Sequence, residues 1–251
     1  NLEEAVSKSP ELVSAQTTLA KAYLVTKQYD KALELASNWK NTSPADSKPY
    51  MLAGDVYTRQ QKFSEAKVEL EKASSLDSNS PSPKLAMVNL AVVQKDIQQA
   101  SLLLDELLIK FPNNVPTLAT YYLVSKQANK QISGIEKVQA AFDREPSNIG
   151  IRLLLARVYV VEANYLKAIE LLTAVKDQKD LPRAYWKTLG QSFIKTNQCR
   201  PATLHYDAWL VKEPNDKDAI VGKLLLLDNL NKFAEAALLT QGYLKNRDDV
   251  Q

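Results

Sequence analysis

Five prolines reveal the rule that governs this chain. Pro10, Pro44, Pro112, Pro146 and Pro214 fall on a common period of 34, their successive spacings being one, two, one and two such periods. The two skipped positions hold Ser78 and Asp180, residue types at home in turns. Residues not used to find the period obey it. Ala32, Ala66, Ala100, Gly134, Ala168, Ala202 and Ala236 recur without a break. So do two larger, mostly apolar ladders: Tyr29, Phe63, Ile97, Gln131, Tyr165, Cys199, Phe233, and Tyr23, Tyr57, Ala91, Ser125, Tyr159, Phe193, Leu227. A fixed period of this length means one supersecondary unit repeated. No unit can bury its apolar face alone, so neighbours must stack.

Each unit reads as two helices. Residues 13–26 carry Ala15, Leu19, Ala22 and Tyr23 at helical spacing. Lys27 and Gln28 make a short turn, and residues 29–41 carry Tyr29, Ala32, Leu33, Ala36 and Trp39 on one face. Thr42-Ser43-Pro44 then ends the unit, because proline cannot continue a helix. The alanine ladder has a physical reason: two antiparallel helices joined by a tight turn need close backbone approach near that turn. Composition agrees, with 6 glycines in 251 residues, each of which would cost a helix roughly 1 kcal/mol.

The pattern resembles the tetratricopeptide repeat (TPR) family over essentially the whole chain. The sixth copy matches the family signature most fully, with Trp186, Leu189, Gly190, Phe193, Ala202, Tyr206, Trp209 and Pro214. The second matches through Tyr50, Gly54, Tyr57, Ala66, Leu70 and Ala73. The resemblance implies an all-α fold, a right-handed superhelical solenoid of about seven 34-residue helical hairpins. Repeats are expected to start near 13, 47, 81, 115, 149, 183 and 217 within a single array over residues 11–251. Residues 1–10 read as the end of a preceding repeat, with Leu2 to Ser9 closing its second helix, so either a longer array or one without conventional caps is expected. The fourth copy, with Tyr121, Tyr122, Ser125, Gln131 and Gly134 at signature positions, is expected to be the least regular hairpin. The seventh has Lys223 where leucine is expected.

Catalytic constellations are missing. The single histidine, His205, is expected at the surface or partly packed, with no nucleophile and orienting acid nearby. The single cysteine, Cys199, excludes an intrachain disulfide and a thiolate metal site, and reads as a small buried hydrophobe. Glycines are too scattered for a phosphate loop. No enzyme activity, metal or cofactor is expected. A net charge of +3 without a run of like charges gives no footprint for nucleic acid. No stretch of 18 apolar residues is present, so no transmembrane segment is expected.

In the TPR family, ligands lie in a concave groove lined by first helices. Carried over copy by copy, the resemblance places Lys21 in the groove, then Met51, Asp55 and Arg59, then Leu85, Asn89 and Val92. It continues with Leu123 and Lys126, Leu153 and Arg157, and Lys187, Gln191 and Lys195. Copies three to five are aliphatic there, and the flanking copies supply cations. Such a strip suits an extended or helical peptide bearing acidic groups; equally, the aliphatics can be packed against neighbouring first helices. The triplets at these positions do not complete the Lys/Asn, Asn, Lys/Arg clamp of chaperone-binding TPR domains.

The expected function is a protein–protein interaction scaffold that binds a peptide or protein partner in this groove. The alternative is a spacer or assembly subunit of a bacterial envelope export or exopolysaccharide system, because a long run of regular copies looks like bacterial TPR lipoproteins. That likeness favours a periplasmic or envelope-associated location over the cytoplasm. A non-catalytic part of a larger enzyme is a third possibility, and open solenoid ends offer a route to homo-oligomers.

Overall fold

The computed structural model describes Glu3, Glu4, Val6 and residues 12–248. Of the segment expected to end an earlier repeat, Glu3, Glu4 and Val6 are helical, and the remainder, with Pro10, lies outside the described residues. Among the described residues from 12 onward there are fourteen α-helices and no strand. They form seven hairpins: α1 (Val13–Val25) with α2 (Tyr29–Thr42), α3 (Lys48–Arg59) with α4 (Phe63–Leu76), α5 (Ser82–Val93) with α6 (Ile97–Lys110), α7 (Val115–Gln127) with α8 (Gln131–Arg144), α9 (Ile149–Val161) with α10 (Tyr165–Thr173), α11 (Arg183–Lys195) with α12 (Cys199–Lys212), and α13 (Lys217–Asn229) with α14 (Phe233–Asp248). The chain divides into two compact units, residues 1–137 and 138–251.

The turn inside every hairpin has one construction. Lys27, Gln61, Lys95, Asn129, Ala163, Asn197 and Asn231 lie one period apart, and all adopt φ between 54° and 63°. The following N–H then donates back across the turn. Gln28 donates to the Tyr23 carbonyl at 2.9 Å, Lys130 to Ser125 at 2.7 Å, Asn164 to Tyr159 at 2.7 Å and Lys232 to Leu227 at 2.8 Å, with the other three hairpins alike. This six-to-one bond is the Schellman closure of a helix C-terminus. The ladder that begins at Tyr23 therefore has a backbone role in every copy, which explains why its side chains can vary from tyrosine to alanine and serine. None of the seven left-handed residues is glycine, and three are asparagine, which tolerates that region.

Helix starts are fixed less uniformly. Asn114, Asn148 and Asp216 cap first helices by accepting from Thr117, Ile151 and Ala219 N–H groups at 3.0, 3.2 and 2.9 Å. Asp96 and Asn164 cap second helices through Gln99 and Lys167. Pro49, Pro83 and Pro116 sit in the first turns of α3, α5 and α7, where a missing N–H costs nothing.

In unit 1 the small-residue ladder is the point of closest approach. Ala32, Ala66 and Ala100 are fully buried. Gly134 is also buried, and a Cβ there would lie 3.0 Å from Ser125 Cβ and 3.1 Å from Tyr122 Cα, so even alanine would press on the facing helix. In the fourth copy α7 and α8 run 13 and 14 residues, the usual lengths. Regularity breaks instead in the fifth copy, within unit 2, where α10 stops after 9 residues. The Thr173 hydroxyl bonds back to the Ile169 carbonyl at 2.7 Å, and Asp180, at φ 56°, replaces the usual proline. Val175 and Leu181 remain buried and hold the intervening segment to the core.

The core of unit 2 is aromatic at its sixth hairpin. Tyr206 and Trp209 are fully buried, and Tyr185, Trp186 and Phe193 surround His205 at ring-centroid distances of 6.1, 5.1 and 5.9 Å. His205 was expected at the surface or partly packed; it is buried, because its position on α12 faces α11 rather than solvent. Cys199 is half-buried against the same core.

Candidate binding crevices

Unit 1 contains a cavity of about 350 Å³ between the first helices of its first three hairpins. Thr17, Lys21 and Leu24 of α1, Lys48, Met51 and Asp55 of α3, and Ala86 and Asn89 of α5 line it. Trp39 and Leu70, both at 1% exposure, lie beneath. Four of the residues anticipated from sequence, Lys21, Met51, Asp55 and Asn89, therefore share one space. Arg59 is outside the lining but bears on it: its Nε donates to Asp55 Oδ1 at 3.1 Å, one turn along the same helix. Asp55 is thereby paired, and Lys21 and Lys48 are the cations of the lining.

The remaining anticipated residues of unit 1 do not join the cavity. Leu85 and Val92 are half-buried against the core of the third hairpin, as packing of the aliphatics would require. Leu123 is 62% exposed, and the Lys126 ammonium lies 6.0 Å from the Tyr122 ring centroid.

Unit 2 has two adjoining crevices. The larger, about 510 Å³, is lined by Lys187, Gln191, Ile194 and Lys195 of α11, by Tyr206 and Trp209 of α12, and by Asp218, Val221, Gly222 and Leu225 of α13. The smaller, about 290 Å³, gathers Arg157 with Lys187 and Gln191. Leu153, expected in the groove, is instead 7% exposed within the core cluster of Ala156, Ala168 and Leu172. It shares its phase with Met51 and Lys187, but here the neighbouring Ala156, Ala168 and Leu172 enclose the side chain and leave little surface for a ligand.

The carboxylates at the start of α13 are paired. Arg183 bonds Asp216 through Nε at 2.7 Å and reaches Asp218 through Nη2 at 2.9 Å, while Lys187 Nζ lies 3.2 Å from Asp218. Burial pushes the Asp216 carboxyl up, but the Arg183 hydrogen bonds and the Ala219 N–H hold it below the ordinary value. Sequence reasoning missed Asp218, Val221 and Leu225. The signal was available, since Val221 and Leu225 lie one period after Lys187 and Gln191.

Burial sets the titration of the aromatic cluster. His205 Nε2 is 2.7 Å from the Trp186 carbonyl, which can only accept, so Nε2 carries the proton. Burial pulls the His205 pKa down, and that hydrogen bond opposes it. Burial pushes Tyr185 and Tyr206 up to about 12. Among the described residues, no group of three or more His, Cys, Asp or Glu could hold a metal ion, and no helix is long and apolar enough to cross a membrane.

No protein-family model matches the chain, and no curated protein sequence matches it. Solved structures do. A tetratricopeptide repeat protein from Parabacteroides merdae is 14% identical, with 97% of this chain and 92% of that one covered and a TM-score of 0.55. A chain of the APC/C hetero-tetramer Cut9–Hcn1 is 14% identical at a TM-score of 0.50, with 91% of this chain covering 45% of that one. PilF of Pseudomonas aeruginosa is 15% identical at a TM-score of 0.49, with 82% and 94% covered. The fold is that of a TPR array of helical hairpins.

Proposed function

We propose that the chain is a non-catalytic interaction scaffold that holds a peptide, or an exposed segment of a protein partner, against the first-helix faces of its hairpins. The observation that carries this reading is the unit 1 cavity. Its volume of about 350 Å³, its buried apolar base and its few polar rim groups are what a side-chain pocket needs. Three successive first helices contribute, so an extended segment crossing them would meet α1, α3 and α5 in turn. The burial of the only histidine beneath an aromatic cluster supports a non-catalytic role.

The reading is tested by selecting random displayed peptides on the immobilised full chain. Enriched peptides are then titrated against wild type and against Met51→Arg and Asn89→Trp, which obstruct the cavity. The expected outcome is enrichment of peptides whose affinity falls at least tenfold in one or both variants. No enrichment, or enriched peptides indifferent to both unit 1 variants and to Leu225→Arg in unit 2, would overturn it.

A further inference from the structure

The two cavities occupy equivalent places in the repeat. Trp39 and Trp209 are five whole periods apart, and each lines the cavity of its own unit. The same offset relates Thr17 to Lys187, Lys21 to Gln191, Lys48 to Asp218 and Asp55 to Leu225. The frame is shared, and the charges on it are not. In unit 2 the carboxylate of Asp218 is already held by Arg183 and Lys187, at 2.9 and 3.2 Å. In unit 1 the corresponding position is a cation, Lys48, whose Nζ is 3.8 Å from Asp46 Oδ1. Asp46 spends the same oxygen on the Lys48 backbone N–H at 3.0 Å. Lys21 is exposed and enters no ion pair among the described residues. The one carboxylate lining the cavity, Asp55, is matched by Arg59.

From this complementarity we infer that the unit 1 cavity recognises a peptide bearing a bulky apolar side chain immediately followed by carboxylates, the apolar group entering over Trp39 and Leu70 and the carboxylates meeting Lys21 and Lys48. The inference rests on the scaffold reading and narrows its ligand. It also makes the two units unequal: the unit 2 crevice, with Gln191 and Asp218 at the corresponding positions, rejects this ligand. Opposite charge on a rim sets which partner is accepted more than it sets overall affinity.

The chain's methionines provide the readout. There are two, Met51 lining the cavity and Met87, on α5, outside that lining. The full chain is labelled with 13C-methyl methionine and titrated with the peptide acetyl-Ser-Leu-Phe-Asp-Asp-Ser-amide. Parallel arms replace both aspartates by asparagine, both by lysine, or Leu-Phe by Ala-Ala. The expected result is a saturable shift of the Met51 methyl with the acidic apolar probe and little change at Met87. Affinity should fall at least fivefold in each altered arm and at least tenfold in Lys21→Glu/Lys48→Glu, and should be unchanged in Lys72→Glu, an exposed position on α4 away from the lining. An unmoved Met51 signal, or equal affinity across the aspartate, asparagine and lysine arms, overturns the inference. The peptide arms use the wild-type chain, so they decide the matter even if the double variant is unstable. If display-selected peptides move Met51 yet carry no acidic residue, the ligand chemistry fails while the scaffold reading stands. If no selected peptide responds to any cavity variant, the scaffold reading itself fails.

Discussion

A Cβ placed on Gly222 would lie 2.3 Å from Cε1 of Tyr206, and the Tyr206 ring is therefore seated directly on the α13 backbone. The ring is 1% exposed and stacked near Trp209 at 6.2 Å, so it cannot turn aside. On the other side, a Cβ on Gly190 would come within 2.7 Å of the same ring. This sandwich is how the sixth and seventh hairpins of unit 2 lock together.

Gly222→Ala should accordingly destabilise unit 2. Overpacking costs about 1–3 kcal/mol, and the gain in helix propensity returns at most about 1 kcal/mol. Gly242, on α14, is the control, because nothing lies within 4 Å of its would-be Cβ. Gly242→Ala should raise stability where Gly222→Ala lowers it. Thermal unfolding of the two variants should shift in opposite directions; a shift of the same sign would refute the seating described for Tyr206.

The hairpin turns predict a reciprocal pair. Ala163 is exposed at φ 56°, a conformation that costs a residue with a Cβ about 1–2 kcal/mol. Ala163→Asn should relieve part of this and raise the melting temperature by roughly 2–4 °C. Asn197→Ala, at φ 54° in the next hairpin, should lower it by a similar amount. Circular dichroism melts of both variants check the signs.

Lys223 occupies a position where the repeat favours leucine. It is 9% exposed, and its ammonium meets Asp207 at 2.7 Å. Asp207→Ala would leave a nearly buried cation without that partner and should cost about 1–3 kcal/mol. Lys223→Leu removes charge and partner need together and should be neutral or stabilising. Denaturant unfolding of the pair measures this, and equal destabilisation by both changes would count against the account.

The stability of unit 2 should weaken in mild acid. His205 is pulled below its ordinary pKa, so the folded state favours the neutral ring and protonation favours the unfolded chain. Its contribution is complete above the unfolded value of about 6.5 and declines as pH falls below it. Asp216, held low, adds a second loss only below its unfolded value of about 3.9. In His205→Phe the midpoint of unfolding should change less between pH 7 and pH 5 than in wild type. An unaltered pH slope would show that another group governs this range.

Much of the architecture was legible because the period is a backbone property. Turn positions, helix alternation and the small-residue ladder all follow from Lys27, Ala32 and their equivalents recurring once in every period. Phase alone, however, says which face a residue takes and not what stands opposite it. Leu153 and Lys21 share the same broad face in the repeat, yet one is enclosed by Ala168 and Leu172 and the other borders open space. The short α10 was not legible either, since its end depends on the Thr173 back-bond and on Val175 and Leu181 finding core sites. The burial of His205 was hidden for a related reason: the carbonyl that accepts its hydrogen bond belongs to Trp186, on a different helix.

The Schellman closures have one more consequence. Each runs between residues five apart, as from Gln28 to Tyr23, and begins and ends inside its own hairpin. No turn depends on a neighbouring repeat for its backbone bonding. Whole repeat-length blocks can therefore be duplicated or deleted in frame, with every junction re-formed from the same local parts. The chain is in this sense written in words of fixed length, and its lineage is free to lengthen or shorten the text without learning a new grammar.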